Sequence, residues 1–227
     1  MILLSKFPGV WAQRTANGCA VGWQRYSEIK LSPLTFRPAD PIRRKQPFDD
    51  ERFVFELKHD GFRALAHITA QQCRLISRRG NVYKSFVALS KSLSTLNCET
   101  VLDGEIVVLD QNGKPQFYDL LRRRGDPVFY AFDCLMLDGR DLRSLPLIER
   151  KHILRRVVNK HPRILYARHY EKEGCDLFRL ICEQDLEGIV AKRRDAAYGE
   201  QWFKIRNPNY SQYEGRRELF EKRARSV

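Results

Sequence analysis

Nowhere in this 227-residue chain do apolar residues run for the roughly 20 positions that a helix needs to cross a bilayer. The opening stretch, Met1-Ile2-Leu3-Leu4-Ser5-Lys6-Phe7-Pro8, is too short and too broken for a secretory signal, so a cytoplasmic protein is expected. C-x-x-C pairs are absent. The six cysteines (Cys19, Cys73, Cys98, Cys134, Cys175 and Cys182) are scattered among apolar neighbours. That scatter argues against a zinc site and against a disulfide framework, and favours small buried hydrophobes. No internal repeat is visible. Acidic residues are in deficit, 28 against 41 Lys and Arg, which leaves a formal net charge of +13. Such an excess suits a polyanionic partner, because neutralising phosphates releases condensed counterions. Basicity by itself does not single out nucleic acid.

What is present suffices for one sizeable core. The 43% hydrophobic fraction is ordinary for a globular domain. Residues 1–30 carry little periodicity and read as an extension. Residues 31–47, with Pro33, Pro38, Pro41, Pro47 and a basic run, read as a surface lead-in. Strand patterns follow at 52–57, 62–68 and 73–78, and look like antiparallel neighbours. Phe86, Leu89, Leu93 and Leu96 fall at helical spacing over 85–96, with Ser85 as a candidate cap. Residues 101–109 and 128–137 are further strands, the first closed by Asp110-Gln111-Asn112-Gly113. Apolar stripes predict helices over 147–158 and 173–183, and short strands follow at 188–191 and 202–205. Residues 208–227 read as a charged tail. The sum is an α+β domain with mostly antiparallel sheet and flanking helices.

Several segments carry chemistry, each with a plainer alternative. In Glu56-Leu57-Lys58-His59-Asp60-Gly61-Phe62-Arg63 a strand ends, a glycine permits close backbone approach, and a lysine sits at the bend. A lysine attacks only as the neutral amine, which burial or a nearby cation promotes; the alternative is an exposed lysine beside an Asp-Gly turn. Leu102-Asp103-Gly104-Glu105-Ile106 offers a carboxylate for hydroxyl groups or a metal, or only a solvated turn. Phe129-Tyr130-Ala131-Phe132-Asp133 offers an aromatic face for a purine, or only core. Glu187-Gly188-Ile189-Val190-Ala191-Lys192 puts a carboxylate and a lysine at the two ends of a short strand. In Trp202-Phe203-Lys204-Ile205-Arg206 the two cations share a strand face, where a phosphate between them relieves their repulsion.

Taken in order, these segments resemble the motifs of the covalent nucleotidyltransferases, the ATP-dependent ligases and mRNA capping enzymes. The chain most resembles the ligase domain of bacterial end-joining ATP-dependent DNA ligases, from about residue 31 to 207. Lys58 to Arg63 resembles the motif K-x-D-G-x-R, and Ser77-Arg78-Arg79-Gly80, Asp103-Gly104-Glu105 and Tyr130-Ala131-Phe132-Asp133 resemble those that follow. Glu187 to Lys192 resembles the fourth named motif and Lys204-Ile205-Arg206 the fifth. The resemblance implies the DNA ligase and capping-enzyme nucleotidyltransferase (ATP-grasp-like) fold, with ATP as cosubstrate and Mg2+ or Mn2+ as metal. It implies transfer of AMP through Lys58 to a 5′-phosphate on nicked or broken DNA, for strand joining in repair or recombination. By the same resemblance Glu56 would meet the adenine edge, Arg63 the ribose or phosphate side, and Glu105 the ribose. Phe132 would stack on the purine. Lys192, Lys204 and Arg206 would line the phosphates, Arg78 would bind the DNA 5′-phosphate, and Glu187 with Glu105 would support the metal.

Two features depart from the pattern. Arg206 stands where the family usually has lysine; it keeps the charge but presents a planar fork. Only about 20 residues follow Arg206, too few for the five-stranded OB-fold that ligases carry next. An adenylation-only domain, a partner that supplies an OB-fold or DNA clamp, or a truncated gene product is therefore expected. The rival enzymes are an RNA ligase and a GTP-using capping enzyme. The rival of another class is a non-catalytic DNA-end-binding module, against which every nucleotide-site residue type is present.

Overall fold

The computed structural model describes residues 36–70 and 72–213. The expected extension at 1–30 and the tail residues from 214 onward lie outside the described residues.

The described residues form two sheets. Strands β1 (Ile42–Arg43), β2 (Asp50–Leu57), β9 (His169–Lys172), β10 (Gly188–Arg193) and β11 (Trp202–Arg206) form a five-stranded sheet ordered β1-β11-β10-β2-β9. Strands β3 (Phe62–Ile68), β4 (Cys73–Ser77), β5 (Thr100–Val107), β6 (Val128–Leu137) and β7 (Arg140–Asp141) form the second, ordered β4-β3-β5-β6-β7. Its sixth strand, β8 (Ile164–Tyr166), pairs with β6. Pairing is antiparallel except for β1 with β11 and β8 with β6. The helices are α1 (Val87–Leu93), α2 (Phe117–Leu121), α3 (Leu147–Val157) and α4 (Gly174–Glu183), and a 3-10 turn covers Ser211–Tyr213. The α+β reading and the antiparallel sheets stand. No helix among the described residues is long and apolar enough to cross a membrane.

Each sheet has its own core. Phe53, Phe55, Ile189, Ala191 and Ile205 of the five-stranded sheet meet Leu177 and Ile181 of α4. Leu75, Leu102, Ile106 and Phe129 of the six-stranded sheet meet Leu89 and Leu93 of α1 and Leu154 of α3. These are the apolar stripes that the periodicity of 3.6 and 2 had marked. Helix α1 is shorter than expected: it starts after Phe86, and no side chain caps it, Ser85 included. The lead-in is not merely surface. Phe36 is buried against Leu65, Val101 and Leu135, and Ile42–Arg43 extends the sheet edge along β11. Within the expected tail, residues 208–213 fold back onto the domain, with Tyr210 buried.

A buried ion pair joins α3 to the six-stranded sheet. Arg150 of α3 donates to Asp133 of β6 through Nε (2.8 Å) and Nη2 (2.9 Å), and both side chains are fully buried. Arg150 also donates to the carbonyls of Leu145 and Ala196, so its charge is paired and each of its three nitrogens is bonded.

Burial also holds His67 neutral. It lies edge-on to Phe36 with ring centroids 6.0 Å apart, its Nε2 has no hydrogen-bond partner among the described residues, and burial, aided by the Arg74 charge, pushes its pKa down to about 4. The unfolded chain takes up this proton below the ordinary value of 6.5 while the folded chain does not, so stability is lost as pH falls from about 6.5 toward 4. His59 and His169 are lowered alike, whereas Glu105 acts in the opposite sense. The difference between wild type and His67→Leu isolates one histidine. We expect the urea midpoint of wild type to fall more between pH 7 and pH 4.5, roughly the window of this shift. Parallel pH profiles would contradict the assignment.

Candidate active site

The chain passes from one sheet to the other at Lys58-His59-Asp60-Gly61. The amide of Lys58 makes the last bond to the five-stranded sheet, to the Gly188 carbonyl at 2.9 Å. Three residues on from His59, Phe62 pairs with Ile106 in the other. At Gly61 the backbones come so close that a Cβ would stand 2.1 Å from the Ile106 oxygen, which excludes any larger residue without movement. The crossing leaves a cleft of about 340 Å3 between the sheets. Glu56, Lys58, Arg63, Arg78, Glu105, Phe132, Lys192, Lys204 and Arg206 all line it. Glu187 reaches it through Lys58, whose Nζ donates to Oε2 at 2.6 Å. The structure therefore brings together every residue singled out from the sequence.

The inner end is a buried charge cluster. Glu56 is 2% exposed; its Oε1 accepts from Lys151 and its Oε2 from Lys192, both at 2.7 Å. Burial alone would raise the Glu56 pKa, but the two ammonium groups more than offset it and hold the carboxyl below its ordinary value. Lys192 is thereby set apart from the other phosphate candidates: it faces Glu56 and lies 4.3 Å from the Phe132 ring and 4.1 Å from that of Trp202. Phe132 also meets the Arg63 guanidinium at 4.5 Å. Arg63 is locked by Asp103, with two bonds of 2.6 Å, and Tyr198 donates to the same carboxylate.

The middle of the cleft carries Lys58, Glu187 and Glu105. Burial pushes Glu105 up to about 8, against the pull of Lys58 and Arg63, and the Glu187 and Asp60 charges add to the rise. His59 stacks on Tyr130 with centroids 3.8 Å apart, and burial lowers its pKa to about 4. The outer end is cationic and open. Lys204 donates to Asp40 at 3.2 Å and Arg78 approaches the same carboxylate at 3.8 Å; Lys204 is the main cause of the lowered Asp40 pKa. Arg206 is exposed. The cleft thus suits a ligand with an aromatic base inward, a polyanionic tail outward, and its reactive atom beside Lys58.

Sequence reading missed Lys151, Asp103 and Tyr198. Lys151 had one legible signal: with Leu147 and Leu154 it falls on the buried face of α3, where a charge must be paired. Asp103 and Tyr198 meet only in the fold, and no local pattern links them. Lys151→Met would leave Glu56 with one partner. We expect a loss of about 3 kcal/mol, the lower end for breaking a buried pair because Lys192 remains. It should read as a lower urea midpoint at constant m, and an unchanged midpoint would contradict the pairing.

Comparison with known proteins agrees with this geometry. The family model described as ATP dependent DNA ligase domain matches residues 42–206. The chain is 31% identical to the SPbeta prophage-derived DNA ligase-like protein LigB of Bacillus subtilis, covering 74% of this chain and 66% of that protein. It is 35% identical to the multifunctional non-homologous end joining DNA repair protein LigD of Mycobacterium tuberculosis, covering 65% of this chain and 20% of LigD. The chain thus spans less than two thirds of the relatives it matches. Among solved structures, mycobacterial DNA ligase D complexed with ATP and MES superposes with a TM-score of 0.67 at 29% identity, covering 78% of this chain and 62% of the other. Chlorella virus DNA ligase-adenylate, at 18% identity and a TM-score of 0.56, covers 75% of this chain and 67% of its own and shares the fold. The fold is that of the DNA ligase and capping-enzyme nucleotidyltransferases, and the chain belongs to the ATP-dependent DNA ligase domain family.

Proposed function

We propose that this chain is an ATP-dependent DNA ligase-type nucleotidyltransferase whose Lys58 carries AMP. The observation that carries the proposal is the Lys58 amine, held at 2.6 Å by Glu187 between a buried aromatic end and an open cationic end. The Lys58 nitrogen bonds to the α-phosphorus, the bond from that phosphorus to the β-phosphate oxygen breaks, and pyrophosphate leaves. The amine must shed a proton to attack, and Glu187 Oε2 is the nearest acceptor. The adenylyl group then passes to a DNA 5′-phosphate and the lysine is restored. Splitting one difficult transfer into two is the general use of a covalent intermediate.

The remaining residues have roles in this reading. Glu56, kept ionised by Lys151 and Lys192, accepts from an adenine amine and repels a guanine carbonyl oxygen, which favours ATP over GTP. Lys192 serves that inner end through Glu56. Phe132 stacks on the purine, Glu105 holds ribose, and Arg63 supports the nucleotide beside Phe132. Lys204 and Arg206 receive the phosphates, and Arg78 at the rim takes the DNA 5′-phosphate. Charge that builds on the equatorial oxygens meets cations already in place, so little reorganisation is needed.

Glu187 would offer hard carboxylate oxygens to Mg2+ or Mn2+; Glu105, whose pKa burial raises to about 8, would join it as the ion displaces its proton. No group of three or more ligating side chains stands preassembled among the described residues. In this reading the ion is held by one or two carboxylates, water and substrate phosphates. When bound, such an ion offsets negative charge on the phosphoryl oxygens. The partner in this reading is nicked or broken DNA, with an OB-fold or other clamp supplied from outside the described residues.

The test is incubation with Mg2+ and ATP labelled on the α-phosphate, followed by a denaturing gel. Wild type should retain label, Lys58→Ala should retain none, and nicked DNA should remove it from wild type. Absence of label on wild type with either metal rejects the enzymatic reading for the isolated chain and turns the search to an OB-fold partner or a DNA-end-binding module. Label from GTP as strong as from ATP would reject the role of Glu56.

A further inference from the structure

Residues 207–213 follow the last strand and take no part in the nucleotide site as described above, yet they touch it at two carboxylates. Tyr213 Oη donates to Glu187 Oε1 at 3.0 Å, and Tyr210 Oη donates to the buried Asp60 Oδ2 at 2.9 Å. The two rings meet edge-on with centroids 5.1 Å apart. The segment is anchored to both halves of the fold. Ser211 donates to the Asp185 carboxylate through N (2.8 Å) and Oγ (2.6 Å) on the side of the five-stranded sheet. On the other side Gln212 bridges the Pro115 carbonyl (2.9 Å) and the Phe117 amide (3.0 Å) at the start of α2.

The two oxygens of Glu187 are thus divided between two donors, Lys58 on Oε2 and Tyr213 on Oε1. A carboxylate held at one oxygen still swings about its terminal torsion, which is broad for a glutamate. Held at both, its plane is set, and so is the point toward which it draws the lysine nitrogen. The same strap fixes Asp60, two residues beyond Lys58, through Tyr210. Positional error near a reacting atom is costly: about 1 Å of misplacement can lower a rate by on the order of a hundredfold.

We infer that Tyr213 is a positioning residue for the Lys58 nucleophile, acting through Glu187, and that residues 207–213 are the strap that delivers it. The inference rests on the nucleotidyltransferase reading. The variant Tyr213→Phe removes one hydroxyl and keeps the ring packed against Tyr210. In single-turnover labelling of the full chain it should lower the maximal rate of lysine–AMP formation by about tenfold. The ATP concentration for half-maximal rate and the urea midpoint should stay at wild-type values. A second readout needs neither nucleotide nor metal. Acetylation of Lys58 by an amine-reactive ester, followed by mass spectrometry with the solvated Lys91 as reference, should quicken in Tyr213→Phe as the Glu187 hold loosens. Ser211→Ala is the control for a merely structural strap, because it weakens the anchor but leaves the phenol. A wild-type adenylation rate in Tyr213→Phe, unchanged reactivity of Lys58, or a rate loss that tracks lost stability in both variants overturns the inference alone. Failure of wild type to take label overturns the underlying reading with it.

Discussion

A carboxylate that burial would neutralise is kept charged at position 56 by two buried ammonium groups, and the arrangement of the cleft depends on that cluster. Removing an ion from water costs several kcal/mol even after the protein relaxes, so the cluster persists only because each charge is paired and bonded. Glu56 lies on β2, Lys192 on β10 and Lys151 on α3. The residue before Lys151, Arg150, pairs with Asp133 on β6. One turn of α3 therefore ties both sheets through adjacent buried ion pairs, and this fixes the width of the cleft between them. Lys58 lies at the point where the chain crosses that gap.

The pairs along the cleft fall into two kinds with different physical behaviour. At the inner end Lys192 and Arg63 are matched to the buried carboxylates Glu56 and Asp103. Parting such a pair without another partner strands a charge in a poor dielectric, which is costly. At the rim Lys204 and Arg78 share the exposed Asp40, which is 67% accessible. An exposed pair of this sort is held by at most about 1 kcal/mol, so a polyanionic tail can displace it. The inner pairs shape the site, and the outer ones reserve positive charge for whatever arrives.

Much of the fold was legible because its long elements obey one period each. The stripe Leu177, Ile181 and the run Phe129 to Leu135 announce their partners by spacing alone. What escaped was short or polar. Ile42–Arg43 and His169–Lys172 are strands only because a neighbouring edge offers hydrogen bonds, and α2 has five residues, too few to establish a stripe. The tail was misjudged at its start for a similar reason. Tyr210 and Tyr213 look like surface residues in a polar segment, and only their partners, Asp60 and Glu187, give them a place.

The site divides along the same line. The candidate nucleophile, the aromatic residue and the outer cations were legible in local order: Lys58, Arg78 and Arg206 sit at or just past strand ends, and Phe132 and Lys204 lie within strands whose period-two alternation sets their face. Sequence by itself determined which chemical groups the cleft contains. Tertiary structure alone decided how those groups are shared out: Lys192 turned to Glu56 instead of joining Lys204, Lys151 became a second counter-charge, and Asp40 became the anion at the rim. The reason is physical. Bonding within a strand or helix is settled over a few residues, whereas the partner of a charge depends on which distant charges are brought within about 4 Å and on how much water the packing leaves between them.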